Sequence, residues 1–199
     1  MSNALHPPRG TGLNRRYFLS SGQTFLSAGV VALLAGCAGN AAMPMSSSSA
    51  EGDVAILNVA LGLEHEAIAA YQIGAESRLL DKPVLDLAVL FQSHHKEHRD
   101  ALAATVRKLG GAPVEPKMMN DYATALNAGA IKSQGDILVL AARLERGAAN
   151  AYLGVIPSFM DADLAKIAGR LAADETMHWT ALAGALKQSL PQKALSFAA

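Results

Sequence analysis

The sequence predicts an all-α protein, an antiparallel four-helix bundle with one long crossover connection. Three observations carry this. From Asp53 onward β-branched alternation is scarce while Ala, Leu, Lys and Arg abound. Apolar residues there recur at spacings of three and four, the mark of helices with one buried face. The four segments that show the pattern fall into two closely linked pairs, separated by a long connection from Ala112 to Gly135. Such a connection lets two helical hairpins pack together.

The elements follow in order. The first helix is expected from about Asp53 to Ser77, with Asp53 suited to capping the apolar run after it. The second begins near Pro83, a residue tolerated in a first turn, and stops at Gly110-Gly111. A short helix is expected in the crossover around Tyr122 to Leu126. The third long helix runs from about Asp136 to near Pro157, and the fourth follows Asp161 and closes near Ser189, before Pro191.

Before these helices lies a segment of different character. Of 17 basic residues, Arg9, Arg15 and Arg16 precede the first acidic residue, Glu51, which leaves 14 basic against 17 acidic side chains in the body. A slightly acidic body without a basic stripe argues against a nucleic-acid partner. Arg15 and Arg16 precede a modestly apolar run from Phe25 to Ala35, the order of a twin-arginine export signal. That run is too short and too rich in Gly, Ala and Ser for a membrane span, which needs about 20 strongly apolar residues.

Cys37 is the only cysteine, which excludes an intramolecular disulfide and a thiolate cluster. Leu34-Ala35-Gly36-Cys37 resembles a lipobox, in which cleavage before the cysteine accompanies acylation of its sulfur. The alternative is an ordinary cleavage site near Ala41-Ala42. The expected organisation is therefore residues 1–37 as signal segment with lipobox, 38–52 as a flexible tether containing Ser46 to Ser49, and 53–199 as the helical domain. The expected location is the periplasm or cell envelope, with membrane attachment through lipidated Cys37. A homo-oligomer is compatible with the sequence, which names no protein partner.

The two hairpins repeat one plan. Leu63-Glu64, Ala67 and Ala70-Tyr71 recur as Leu144-Glu145, Ala148 and Ala151-Tyr152, while His98 and Ala101-Leu102-Ala103 recur as His178 and Ala181-Leu182-Ala183. On the first helix Leu57, Leu61, Glu64, Ile68, Tyr71 and Ala75 share a face, as do Leu138, Ala142, Glu145, Ala149 and Tyr152 on the third. A glutamate on such a face is costly unless protonated, paired or bound to a cation. Glu66, Arg143 and Arg146 fall off these stripes and read as solvated charges.

The second helix adds His94, His95 and His98 beside Phe91 and Leu102, and the fourth adds Glu175 and His178 beside Leu171 and Leu182. The repeat sets His95 against Glu175 and His94 against Asp174, so His95 with His98 is the preferred pair and His94 the alternate. Glu97 should point toward solvent. Glu64, Glu145, Glu175, His95, His98 and His178 then offer three carboxylates and three imidazoles. That set suits iron, manganese or zinc far better than copper(I). A Glu and His network that only stabilises the bundle is the competing reading.

These residues carry a resemblance. Glu64 with Tyr71, Glu145 with Tyr152, and Glu175-x-x-His178 resemble the ferritin-like superfamily, specifically the exported ferritin-like domain proteins of the desiccation-related group. The stretches Ile56 to Leu61, Leu144 to Gly154 and Ala173 to His178 carry the closer likeness, over roughly residues 53–188. The resemblance implies that Glu64, Glu145, Glu175 and His178 ligate metal, with His98 as the second helix's histidine. His95 stands where the family's pattern has a glutamate, which implies one ion or an asymmetric pair, with iron the favoured metal.

For function the resemblance implies reaction with dioxygen or peroxide if two redox metals are held. Tyr71 and Tyr152 stand about two turns from their own-helix glutamates, near 10.5 Å along the axis. They are either core rings with satisfied hydroxyls or groups that assist a bound ligand. Hydrolysis lacks any separate acid-base or nucleophile motif. A non-enzymatic envelope stress or interaction protein, with a structural metal or none, is the alternative.

Overall fold

The computed structural model describes residues 48–195 and residue 197. The twin-arginine segment and the lipobox lie outside the described residues. Regular structure among the described residues is entirely helical: α1 Ser48–Glu76, α2 Lys82–Lys108, α3 Met119–Ala125, α4 Gln134–Val155 and α5 Ala162–Ala185, with 3-10 turns at Ala128–Ala130 and Ile156–Ser158.

Helix ends mark where the sequence reading needs correction. Asp53 does not cap α1, because the helix starts upstream and takes in the last five residues assigned to the tether; Asp53 is buried within it. Asp81 caps α2 by accepting from the Val84 N–H at 3.1 Å, which supports Pro83 in the first turn. α4 starts at Gln134, two residues before the expected Asp136, and Ser133 caps it, accepting from the Asp136 N–H at 3.2 Å. Asp161 caps α5 as its position suggests, accepting from the Asp163 N–H at 2.7 Å, and that helix closes at Ala185, short of Ser189. Gly110 ends α2 at a φ of 82°, and the Gly111 N–H reaches back to the Val106 carbonyl at 2.9 Å. A β-carbon on Gly111 would lie 2.5 Å from Val54 Cγ1 on α1, so a glycine is needed there for close approach as well.

The core forms two apolar blocks. One contains Leu57, Leu61, Leu102, Val106, Tyr152, Leu164 and Leu171. The other contains Tyr71, Phe91, Leu138, Ala142, Trp179 and Leu182. Along each long helix the residues of one block are followed by Glu64, by His95 and His98, by Glu145, or by Glu175 and His178, and then by residues of the other block. A polar layer therefore crosses the middle of the bundle.

The same order explains the crossover. α2 ends in the first block while α4 begins in the second, so the link between them must travel the length of the bundle. It runs over α1. Asn58 holds it by donating to the Ala112 carbonyl at 2.9 Å and accepting from the Val114 N–H at 2.8 Å. α3 then places Tyr122 and Leu126 against Ala69 of α1. By length and hydropathy the stretch Ala50–Glu76 could cross a membrane, but half of its most apolar window is buried in the bundle, as befits a core helix.

Candidate metal centre

The polar layer brings together all six side chains singled out in the sequence. Glu64, His95, Glu145, Glu175 and His178 are each no more than 1% exposed, and His98 is buried as well. They form two overlapping groups, Glu64 with His95, His98 and Glu175, and His95 with Glu145, Glu175 and His178. Within each group the donor atoms all lie within 4.8 Å of one another. His95 and Glu175 belong to both. His95 Nδ1 is 2.8 Å from Glu64 Oε2, and its Nε2 is 3.1 Å from Glu145 Oε1. Glu175 presents Oε1 to His98 Nδ1 and Oε2 to His178 Nδ1, each at 3.2 Å.

Two tyrosines close the layer. Tyr71 on α1 donates to Glu145 on α4 at 2.5 Å, and Tyr152 on α4 donates to Glu64 on α1. Each ring thus serves the glutamate of the opposite half rather than the one on its own helix. Both are core rings with satisfied hydroxyls, and both hydroxyls act on candidate ligands. Burial, then the adjacent glutamate charge, pushes both phenols well above their ordinary range, so they remain donors.

His94 does not face the centre. Its Nδ1 lies 2.9 Å from His178 Nε2, behind the ring. Asp174, its counterpart in the repeat, lies behind the other histidine, with Oδ2 3.2 Å from His98 Nε2. Glu97 is exposed, as its helical position predicts.

Charge follows the same geometry. Burial would raise the Glu64 and Glu145 carboxyls, but hydrogen bonds and charge from the histidines overcome it and hold both below the usual range. Burial dominates at Glu175, which is raised. Burial likewise works against a charged His98, yet Glu175 and Glu64 hold it protonated up to about 10. His94 is pushed down, by burial and then by the neighbouring His178 and His98, which favours its neutral form.

The donor set can accommodate a divalent cation. Three carboxylates and three imidazoles are hard-to-intermediate ligands of the kind that hold iron, manganese or zinc. Two buried atoms in the layer, His98 Nδ1 and Glu175 Oε1, face each other at 3.2 Å without an aligned hydrogen bond. A cation between them would satisfy both.

Some residues were misread from the sequence. Glu66 is not a solvated charge: it is 9% exposed, raised by burial, and drawn back by the charges of Lys117 and Arg143. His65 is also buried, with Nε2 3.1 Å from the Val114 carbonyl of the crossover. Arg146 is exposed but occupied, lying 5.9 Å from the ring centres of Trp179 and Phe197.

A helical bundle with glutamates and histidines layered across its core defines a class, and the sequence matches it. Residues 52–188 match the ferritin-like domain family, and the chain belongs to that family. No curated protein matches it by sequence. Among solved structures it is similar to a conserved hypothetical protein, rv2844, from Mycobacterium tuberculosis, at 24% identity and a TM-score of 0.59, over 75% of this chain and 99% of that one. At that identity the likeness concerns the fold.

Proposed function

We propose that the protein is an exported ferritin-like metalloprotein of the desiccation-related group, in which Glu64, His95, His98, Glu145, Glu175 and His178 hold one or two transition-metal ions. Iron is the favoured metal, with manganese or zinc as alternatives. The observation that carries the reading is the convergence of six side chains from four helices on one layer, in which His98 Nδ1 and Glu175 Oε1 face each other without an aligned hydrogen bond. When bound, redox-active iron would supply one-electron chemistry toward dioxygen or peroxide. The protein's part is to exclude bulk water with the two apolar blocks and to hold the ligand carboxylates in place through Tyr71 and Tyr152.

The domain begins with α1 at Ser48, and in this reading residues 1–37 carry it out by the twin-arginine route. Folded export would let the bundle take its metal before crossing the membrane. Lipidated Cys37 then anchors it in the envelope, and homo-oligomers are compatible with such a tethered bundle.

A second reading has its own support. Glu64 and Glu145 each already accept hydrogen bonds from a tyrosine and pair with His95. Such a network serves equally in a non-enzymatic stress or interaction protein of the envelope. Oxygen consumption and peroxide turnover by iron-loaded protein with reductants separate the two. Turnover lost in Glu64→Gln and Glu175→Gln supports the oxidase reading, and its absence from the loaded native protein would end it. Intact-mass analysis of the envelope form should show a chain that begins at Cys37 and carries lipid. A water-soluble product starting farther downstream would refute the anchor.

A further inference from the structure

Resting on the metal-binding reading above, we infer that the two cation positions are unequal: the position at Glu64 and His98 is the tight one, and the position at Glu145 and His178 is weak and exchangeable because His94 supports it less than Asp174 supports the other. The two halves repeat one plan in sequence, so their differences stand out. Residues 94 and 174 occupy equivalent places, immediately before the shared residues His95 and Glu175. Each reaches across to the histidine of the other helix, but one is an imidazole and the other a carboxylate.

A histidine that gives Nδ1 to a cation carries its proton on Nε2. His98 would then donate to an Asp174 carboxylate, a charge-assisted bond that fixes the ring and strengthens its free nitrogen as a donor. His178 would donate to an imidazole nitrogen of His94, a weaker acceptor than a carboxylate that polarises it less. His94 therefore acts as a positioning residue through His178.

A second observation points the same way. The two buried atoms without an aligned hydrogen bond, His98 Nδ1 and Glu175 Oε1, belong to the group formed by Glu64, His95, His98 and Glu175, where they lie 3.2 Å apart. In the other half His178 Nδ1 makes aligned contacts at 3.2 Å with both Glu145 Oε2 and Glu175 Oε2. A cation in the first half breaks no aligned hydrogen bond of His98 Nδ1 or Glu175 Oε1, whereas one in the other half must displace both bonds of His178 Nδ1. The first ion is accordingly a resident and the second a transient occupant, suited to a cation that arrives and leaves.

The test is titration of the metal-free full chain with cobalt(II), followed by calorimetry and visible absorbance. Two binding steps are expected, with affinities at least about tenfold apart. Loss of an outer partner typically costs about 10–100-fold in metal affinity, so Asp174→Asn should weaken the first step by that factor and leave the second nearly unchanged. His94→Ala should weaken only the second. His94→Asp should tighten the second step and close the gap, a gain that a purely structural role for His94 does not produce. Circular dichroism confirms that each variant is folded. Equal steps in the native chain, a single ion per chain, or a second step that His94→Asp leaves unchanged or weakens would each overturn the inference while leaving a metal site in place. Failure of the native chain to bind any cobalt would overturn the metal-binding reading and this inference together.

Discussion

Tyr152 donates its hydroxyl hydrogen to Glu64 across 88 residues of sequence, tying α4 to α1 inside the bundle. Tyr71 returns the bond to Glu145. The two α1 to α4 contacts are the same contact made twice by a repeated plan, and they position a carboxylate on each side of the polar layer.

Removing one of these hydroxyls should be felt directly. Tyr152→Phe takes the hydroxyl donor from Glu64 Oε1 in a buried place and leaves His95 on Oε2, and a hydrogen bond to a charged group is worth about 1.5–3 kcal/mol. Urea unfolding of the metal-free protein should show a loss of that size. A loss below about 0.5 kcal/mol would mean that the hydroxyl does not support the glutamate.

The helix ends predict opposite effects of glycine. Gly110 and Lys187 both follow a closing leucine, Leu109 and Leu186, and both have positive φ, 82° and 56°. Gly110→Ala should destabilise by about 1 kcal/mol, since a β-carbon is strained in the left-handed region. Lys187→Gly should stabilise by up to about 1 kcal/mol for the converse reason, less the entropy that glycine loses on folding. Gly111→Ala should cost more than Gly110→Ala, because its β-carbon runs into Val54 and Val106. Thermal unfolding ranks all three.

Protons and cations should compete. His98 is held protonated up to about 10 in the metal-free fold, against an ordinary value of 6.5. A raised histidine stabilises the fold fully below about pH 6.5, and that contribution fades as the pH climbs through about 10. The metal-free protein should therefore become less stable to heat between pH 7 and 10. At pH 7 a cation must displace this proton, so binding should release protons and weaken on acidification. Calorimetry in buffers of different ionisation enthalpy measures the release, and binding without proton release would contradict it.

How far the sequence could be read follows from what each residue touches. The core glutamates and histidines were legible because they interrupt apolar stripes at helical spacing on all four helices. Pairing 94 with 174 and 95 with 175 through the repeat was also legible. Which of His94 and His95 faces the centre rested on that pairing, and the structure puts His95 there and His94 behind His178. Less visible was the burial of His65 and Glu66. They lie off the bundle-facing stripe of α1, on surface covered by the crossover, and a connection without periodicity gives no sign of where it will lie. Asp53 was misjudged as a cap because the apolar run starts after it, whereas the helix begins in the serine-rich stretch before it.

The central claim is that the layer between the two apolar blocks is a metal site. Anomalous diffraction from crystals of zinc-loaded protein tests it most directly, because it locates the ion without reference to activity. A metal site gives a peak enclosed by Glu64, His95, His98 and Glu175, with oxygen and nitrogen ligands at about 2.0–2.2 Å. Zinc found only at surface side chains, with the six buried residues keeping their mutual hydrogen bonds, would contradict it.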